Sequence, residues 1–262
     1  MIISLVIPVY NNIELTRSCL ETLADTRGEN ADFVTVVVDD GSTDDIKVLS
    51  SMFSGLHYLR NDSNAGYLVT TNRGIEYSLT NIKADVVVLL NNDMQFYGKW
   101  LDKLIEGLRQ YDITGYFSLE GENQEQIKEV EYLEFSCVAI RREVFDAIGV
   151  LDERFYNGYY SDNDYCLRAK LACFSLAVLP NSKSSGVTHE CGQTFGVDKR
   201  KKIMMDMYNE FCTKWVSSTS SIVINYLNRV VYNPHSDRIG LGLLGNLKRV
   251  FNRFIKKDSS RH

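Results

Sequence analysis

Side chains able to do chemistry gather in four short clusters of the 262-residue chain. Pro8-Val9-Tyr10-Asn11-Asn12, Asp39-Asp40-Gly41-Ser42-Thr43-Asp44 and Asn91-Asn92-Asp93 each close an apolar run, and Ser161-Asp162-Asn163-Asp164 stands later. Carboxylates and carboxamides of this kind can bond hydroxyls, hold a cation or take a proton. Each cluster also has a plain structural reading, as a tight turn, an Asx turn or the acidic start of a helix. His189 is one of only four histidines, a metal-ligand type that is nonetheless more often structural when it stands alone. No G-x-G-x-x-G follows the first apolar run and no G-x-x-x-x-G-K-[ST] occurs, so the usual dinucleotide and P-loop phosphate sites are excluded.

These clusters need a scaffold. Ile2-Pro8, Phe33-Val38, Leu56-Leu59 and Val86-Leu90 read as strands separated by helical stretches, which predicts an α/β, Rossmann-like half with a parallel sheet covered on both faces. In such a sheet ligands bind outside the carboxyl ends of the strands, so the first three clusters converge on one rim. The first helix carries Leu15, Cys19 and Leu23 on one face, with Asn11 or Asn12 to cap it. Lys99-Gln110 reads as a further helix, Gly121-Glu131 as an exposed connection, Phe135-Ile140 as a strand, and Arg142-Ile148 as a helix stopped at Gly149. From about Lys199 the pattern turns helical, giving a boundary near residue 200 between a catalytic domain at 1–200 and a helical extension at 201–262.

Composition bounds the function. With 44% hydrophobic and 24% charged residues the chain is an ordinary globular protein, and nothing in it is long and apolar enough to read as a membrane span or a secretory leader. Six scattered cysteines without a C-x-x-C pair suit reduced thiols, hence a cytoplasmic setting. Residues 238–262 hold seven Lys/Arg against Asp258 alone, a net +6 that leaves −11 for residues 1–237 out of −5 overall. The acidic body argues against nucleic-acid binding.

The motifs P-V-Y-N-N (8–12), V-D-D-G-S-T-D (38–44), N-A-G (64–66) with T-N-R-G (71–74), L-L-N-N-D (89–93) and the later D-E-R-F with S-D-N-D-Y-C-L-R resemble family 2 glycosyltransferases of the GT-A fold, closest to bacterial rhamnosyltransferase-like members. The resemblance spans roughly residues 1 to 195. It implies inverting transfer of a sugar from a nucleotide diphosphate sugar to a hydroxyl acceptor, in surface polysaccharide or glycolipid assembly. By position it makes Asp40 the reader of the nucleotide, joined on the donor side by Pro8, Tyr10, Asn64, Gly66, Asn72, Asn91, Asn92 and Asp93. Gly74 is left to packing, and Asp44 to a helix cap.

The resemblance also implies a divalent cation held by Asp93, the surviving acid of the family's D-x-D motif, and by His189; an imidazole ligand favours Mn2+ over Mg2+. Asp162 matches the general base, ionised at neutral pH at its ordinary pKa of about 3.9, with Ser161 standing where relatives carry an acid. Asp164 is expected to pair with Arg168. Phe155, Tyr156, Tyr159 and Tyr160 are candidates for stacking on sugar, or for core. Gly192-Phe195 reads as a loop closing over the donor. A non-catalytic sugar- or nucleotide-binding module on a decayed transferase fold is the alternative, suggested by the N-N-D and S-D-N-D departures.

Leu244, Leu247, Phe251, Phe254 and Ile255 recur at helical spacing among basic residues. That pattern predicts a helix on an anionic membrane surface, useful with a saccharide or lipid-linked acceptor, or equally one packed on the catalytic domain or on a second copy in a homodimer.

Overall fold

Strands of nearly continuous Val, Ile and Leu require a sheet covered on both faces. The computed structural model builds one, and it describes residues 1–118, 120, 125–180, 186–189, 197–215, 217, 218, 220–233, 238 and 239. The first half alternates as the sequence predicts: β1 (Ile3–Val9), α1 (Ile13–Thr26), β2 (Phe33–Asp39), α2 (Leu49–Met52), β3 (Leu56–Arg60), α3 (Tyr67–Tyr77) and β4 (Val86–Leu90). β1 pairs in parallel with both β2 and β4, and β2 with β3. Pro8 is tolerated in this central strand because pairing with β4 ends at Val6–Leu89, before an N–H is missed.

The second half adds β5 (Met94–Phe96), α4 (Trp100–Gly107), β6 (Ile113–Gly115), β7 (Lys128–Glu129), β8 (Cys137–Arg141), α5 (Arg142–Ile148), α6 (Ser161–Leu171), β9 (Leu176–Val178) and β10 (Val187–His189). The eight-stranded sheet runs β3-β2-β1-β4-β8-β6-β9-β7, with β8 antiparallel to β4 and β6. β6, β9 and β10 are three residues each, too short to show an alternation, and β7 lies inside the segment read as an exposed connection. α6 starts four residues earlier than the predicted Tyr165 and carries Asp162 in its first turn. Seven of its residues are buried, polar Ser161, Asn163 and Asp164 among them, so no apolar stripe marks its start. Arg168 secures it: its guanidinium pairs with fully buried Asp164 at 2.9 Å and donates to the carbonyls of Ile148 and Val150 at 2.6 and 2.8 Å.

Two caps differ from expectation. Asn12 occupies the N-cap of α1 in a left-handed conformation (φ 55) and its side chain makes no capping bond. Asp44 caps α1 instead, from across the rim, accepting the Ile13 N–H at 3.1 Å. Gly74 serves packing, as expected, since α3 crosses β1 there and a Cβ would stand 2.4 Å from Val6 Cγ1.

The chain divides into two compact units, Met1–Thr194 and Phe195–His262. The second holds α7 (Val197–Trp215) and α8 (Ser221–Arg229), whose Val223, Tyr226 and Leu227 are buried. A short antiparallel pair follows, β11 (Tyr232–Asn233) with β12 (Arg238–Ile239), which corrects the expectation of a wholly helical extension. The basic amphipathic segment, and the Gly192-Phe195 loop, lie outside the described residues. The described cysteines are free thiols; Cys19, Cys137 and Cys166 are buried.

Gly74→Ala is expected to lower the unfolding free energy by about 1–3 kcal/mol in urea denaturation, through overpacking against β1. Gly28→Ala is the control, because a methyl there meets nothing within 4 Å.

Candidate active site

Strand β2 delivers two fully buried acids to the rim, and each must be partnered to be there. Asp39 Oδ1 accepts the Ser42 N–H at 2.8 Å; Oδ2 accepts the Tyr58 hydroxyl at 2.6 Å and the Arg60 guanidinium. Burial pushes the Asp39 carboxyl up, but Ser42, Tyr58 and Arg60 outweigh it and leave it below the usual carboxylate range. Asp40 accepts from Asn61 Nδ2 and the Ala65 N–H at 2.8 Å each, and from the Gly66 N–H at 2.9 Å. Asp40, expected to read the nucleotide, shapes the 61–66 loop through these bonds, with Gly66 in a left-handed turn (φ 94) and Asn64 exposed.

Asn72 is not at the rim. Its amide nitrogen donates to the Leu151 carbonyl and Glu153 Oε1 at 2.9 and 3.0 Å, and its oxygen accepts the Leu151 N–H at 3.0 Å. Both ends of the amide, expected on the donor side, tie α3 to residues 151–153. Pro8 is buried within β1, Tyr10 stands half exposed beyond it, and Asn11 Oδ1 accepts the Thr43 N–H at 2.8 Å, closing the rim between the first two clusters.

The third cluster meets His189 through backbone register. β10 pairs antiparallel with β5, setting His189 opposite Met94 and hence beside Asp93. His189 Nε2 lies 3.0 Å from Asp93 Oδ1, and the Phe117 ring flanks the imidazole at 5.8 Å between centroids. Asp93 Oδ1 is buried and makes no hydrogen bond, in a site where almost every other carboxylate oxygen is spent. A carboxylate oxygen so placed against an imidazole nitrogen suits a divalent cation that takes its remaining ligands from phosphate and water. Among the described residues no third acid, imidazole or thiol completes an all-protein metal cluster. Asn92 Nδ2 donates to Thr16 Oγ1 at 3.0 Å and Asn91 Oδ1 accepts the Tyr67 hydroxyl at 3.3 Å, so both carboxamides orient the loop that carries Asp93.

Asp162 faces this site from the first turn of α6. Its Oδ2 accepts the Tyr132 hydroxyl and its Oδ1 the Asn163 N–H, at 2.7 and 2.8 Å. Burial raises its carboxyl to about 7; the Tyr132 and Asn163 bonds oppose the rise and Glu134 adds to it. The ordinary carboxylate value expected from sequence is therefore corrected, and a carboxyl that titrates near neutrality is matched to proton transfer. Tyr67 links the two acids. Burial, then Asp162 and Asp93, push its phenol up to about 12, which puts one hydroxyl within electrostatic reach of both. Its ring rests on Gly158, where a Cβ would stand 3.0 Å away.

Of the aromatic candidates, Phe155 and Tyr160 are core and Tyr156 is exposed. Sequence reasoning missed Arg60, Tyr67, Phe117, Tyr132 and Glu134. Only Tyr67 carried a signal, directly after N-A-G; the others come from elements with no recognisable motif.

Residues 4–118 match the family described as glycosyl transferase family 2. Over 85% of its length the chain is 23% identical to the low-salt glycan biosynthesis hexosyltransferase Agl10 of Haloferax volcanii, 84% of which is covered. Among solved structures it is similar to S. aureus TarS 1-349 in complex with UDP-GlcNAc, at TM-score 0.62 and 15% identity over 87% of this chain and 72% of that one. It is likewise similar to the mannosyltransferase PcManGT from Pyrobaculum calidifontis in complex with GDP-Man and Mn2+, at TM-score 0.63 and 12% identity over 83% and 65%. The fold is the GT-A fold of these enzymes.

A raised carboxyl is a stability cost whenever it is ionised. With a folded value of about 7 above an ordinary 3.8, Asp162 contributes stability that is full at acid pH and lost as pH rises through 7. Asp162→Asn is therefore expected to raise Tm above pH 7, by a margin that shrinks as pH falls toward 4; differential scanning calorimetry across that range checks it.

Proposed function

We propose that this chain, whose residues 4–118 form a family 2 glycosyltransferase domain, moves a sugar from a nucleotide diphosphate sugar to a hydroxyl acceptor with inversion at the anomeric carbon, in the assembly of a surface glycan or glycolipid. One observation carries this reading: Asp93 Oδ1, without a hydrogen bond and 3.0 Å from His189 Nε2, and an Asp162 carboxyl raised to about 7 both act electrostatically on the Tyr67 phenol. That is the spacing of charge a transfer needs, cation-side groups toward the leaving diphosphate and a base toward the acceptor.

The acceptor oxygen attacks the anomeric carbon as the carbon–oxygen bond to the diphosphate breaks, and Asp162 takes the acceptor's hydroxyl proton. Attack from the face opposite the leaving group inverts the centre. Asp93 and His189 would hold a divalent cation, manganese in preference to magnesium, which would supply positive charge to offset that developing on the departing phosphate. The backbone of the Asn64–Gly66 loop, set by Asp40, approaches the nucleotide, and Tyr10 borders it. Ionised Asp162 is the competent form, so turnover falls as pH drops through about 7.

The donor is tested by calorimetry with UDP, dTDP and GDP, each with and without manganese. One nucleotide is expected to bind in a metal-dependent way, and Asp93→Asn to weaken it by roughly tenfold or more, about 1.4 kcal/mol. Asp162→Asn should keep that affinity and lose turnover by orders of magnitude. Turnover that survives in it would sink the base assignment, and binding without turnover in the wild type would favour a non-catalytic module.

Among the described residues no helix is long and apolar enough to cross a membrane. We infer that the basic residues of 238–262 dock the enzyme on the anionic cytoplasmic face of the cell membrane, near a lipid-linked acceptor. Truncation before Arg238 is expected to abolish sedimentation with phosphatidylglycerol vesicles; unchanged sedimentation would count against docking.

A further inference from the structure

A stretch of chain without regular structure, Glu131–Glu134, is held at every residue between two neighbours. The Glu131 N–H donates to Glu120 Oε1 at 2.9 Å, while its carboxylate pairs with Lys170 of α6 at 3.2 Å. The Tyr132 carbonyl accepts the Ser118 hydroxyl at 2.6 Å. The Leu133 N–H points at Cys166 Sγ of α6, 3.4 Å away, and the Glu134 N–H donates to the Phe117 carbonyl at 2.9 Å. Phe117 is also the ring that flanks His189. So much fixing of four irregular residues serves what they deliver, and what points into the site is the hydroxyl of Tyr132, 7% exposed, 2.7 Å from Asp162 Oδ2.

We propose that Tyr132 is the positioning residue of the acceptor base: its hydroxyl fixes the Asp162 carboxylate plane and leaves one defined edge for the acceptor hydroxyl. The role rests on reading Asp162 as the base. With Oδ1 held by the Asn163 N–H and Oδ2 by Tyr132, the carboxylate cannot rotate without breaking a bond at each oxygen. The anchor comes from a segment clamped to α6 itself, so base and anchor move as one body.

The chemistry of the anchor matters. A lysine or arginine at Oδ2 would hold the carboxylate firmly and remove its basicity. A phenol is a neutral donor that favours the ionised form only modestly. Among the described residues the titratable groups that interact with Asp162 are Tyr132, Tyr67, Glu134 and Cys166, none of them a cation. Burial lifts the carboxyl, and the Tyr132 bond is the foremost contact holding it down.

The test uses the full chain with two replacements that keep the ring. Tyr132→Phe removes the hydroxyl; 3-fluorotyrosine at 132 makes it a more acidic, stronger donor. The Asp162 titration is followed by carbon-detected NMR, assigned by its loss in Asp162→Asn. The Phe variant is expected to raise the midpoint by about half to one unit and the fluorinated ring to lower it. In manganese-dependent hydrolysis of UDP-glucose, GDP-mannose and dTDP-rhamnose, the acidic limb of kcat should follow in both directions, with kcat about tenfold lower in the Phe variant and KM changed less than about twofold. A midpoint that ignores both replacements, in folded variants, overturns the proposal while leaving the base reading intact. Hydrolysis that persists in Asp162→Asn overturns the base reading, and the positioning role with it.

Discussion

A charge taken out of water must find partners, and this site is organised by which carboxylates have found them. Asp39, Asp40 and Asp164 are buried with their oxygens spent on turns, loop amides and a guanidinium, and Asp44 caps a helix. They are structure. Asp93 keeps an oxygen with no hydrogen bond, and Asp162 is so poorly compensated that its carboxyl rises to about 7. These two are the acids of the rim that the protein's own hydrogen bonds compensate least, and they are the two to which the proposed transfer assigns its chemistry.

Satisfied acids make the unsatisfied ones possible. Arg168 pairs with Asp164, two residues after Asp162 in the same first turn, and ties α6 to the carbonyls after α5, so the second buried acid of that turn is compensated. Asp40 closes the 61–66 loop, which sets the start of α3 and therefore Tyr67. Tyr67 then lies against Gly158, close before Asp162, and gives its hydroxyl to Asn91, close before Asp93. One ring thus joins the loop before Asp93 to the turn before Asp162. A larger residue at Gly158 would push it out, and the left-handed φ of 87 there makes any side chain costly.

Much of this was legible in the residues. The parallel half-sheet followed from its apolar runs, the polar clusters stood where strand ends must lie, and the motif resemblance covered the part of the chain that forms the first compact unit. The Asp164–Arg168 pair followed from one-turn spacing, and Asp93 and His189, joined in the sequence only by resemblance, do stand 3.0 Å apart. What the residues could not show is a side chain's surroundings where these come from far along the chain. Asp40 and Asn72 have the right types for ligand contacts, yet their partners, Ala65 and Gly66 for one and Leu151 for the other, are chosen by folding.

Residue type and local order thus determined the strands, the rim and the identity of the acids, because periodicity and turn chemistry act over a few neighbours. Tertiary structure alone decided which acids have their oxygens taken up by hydrogen bonds and which do not. The three-residue strand β10 carries no pattern of its own, but its register with β5 puts His189 beside Asp93. The segment bearing Tyr132 has no motif, but long-range bonds to Ser118, Phe117 and Cys166 aim its hydroxyl at Asp162. A pKa belongs to an environment rather than to a residue, so the rise of the Asp162 carboxyl to about 7 could be set only once the chain had closed around it.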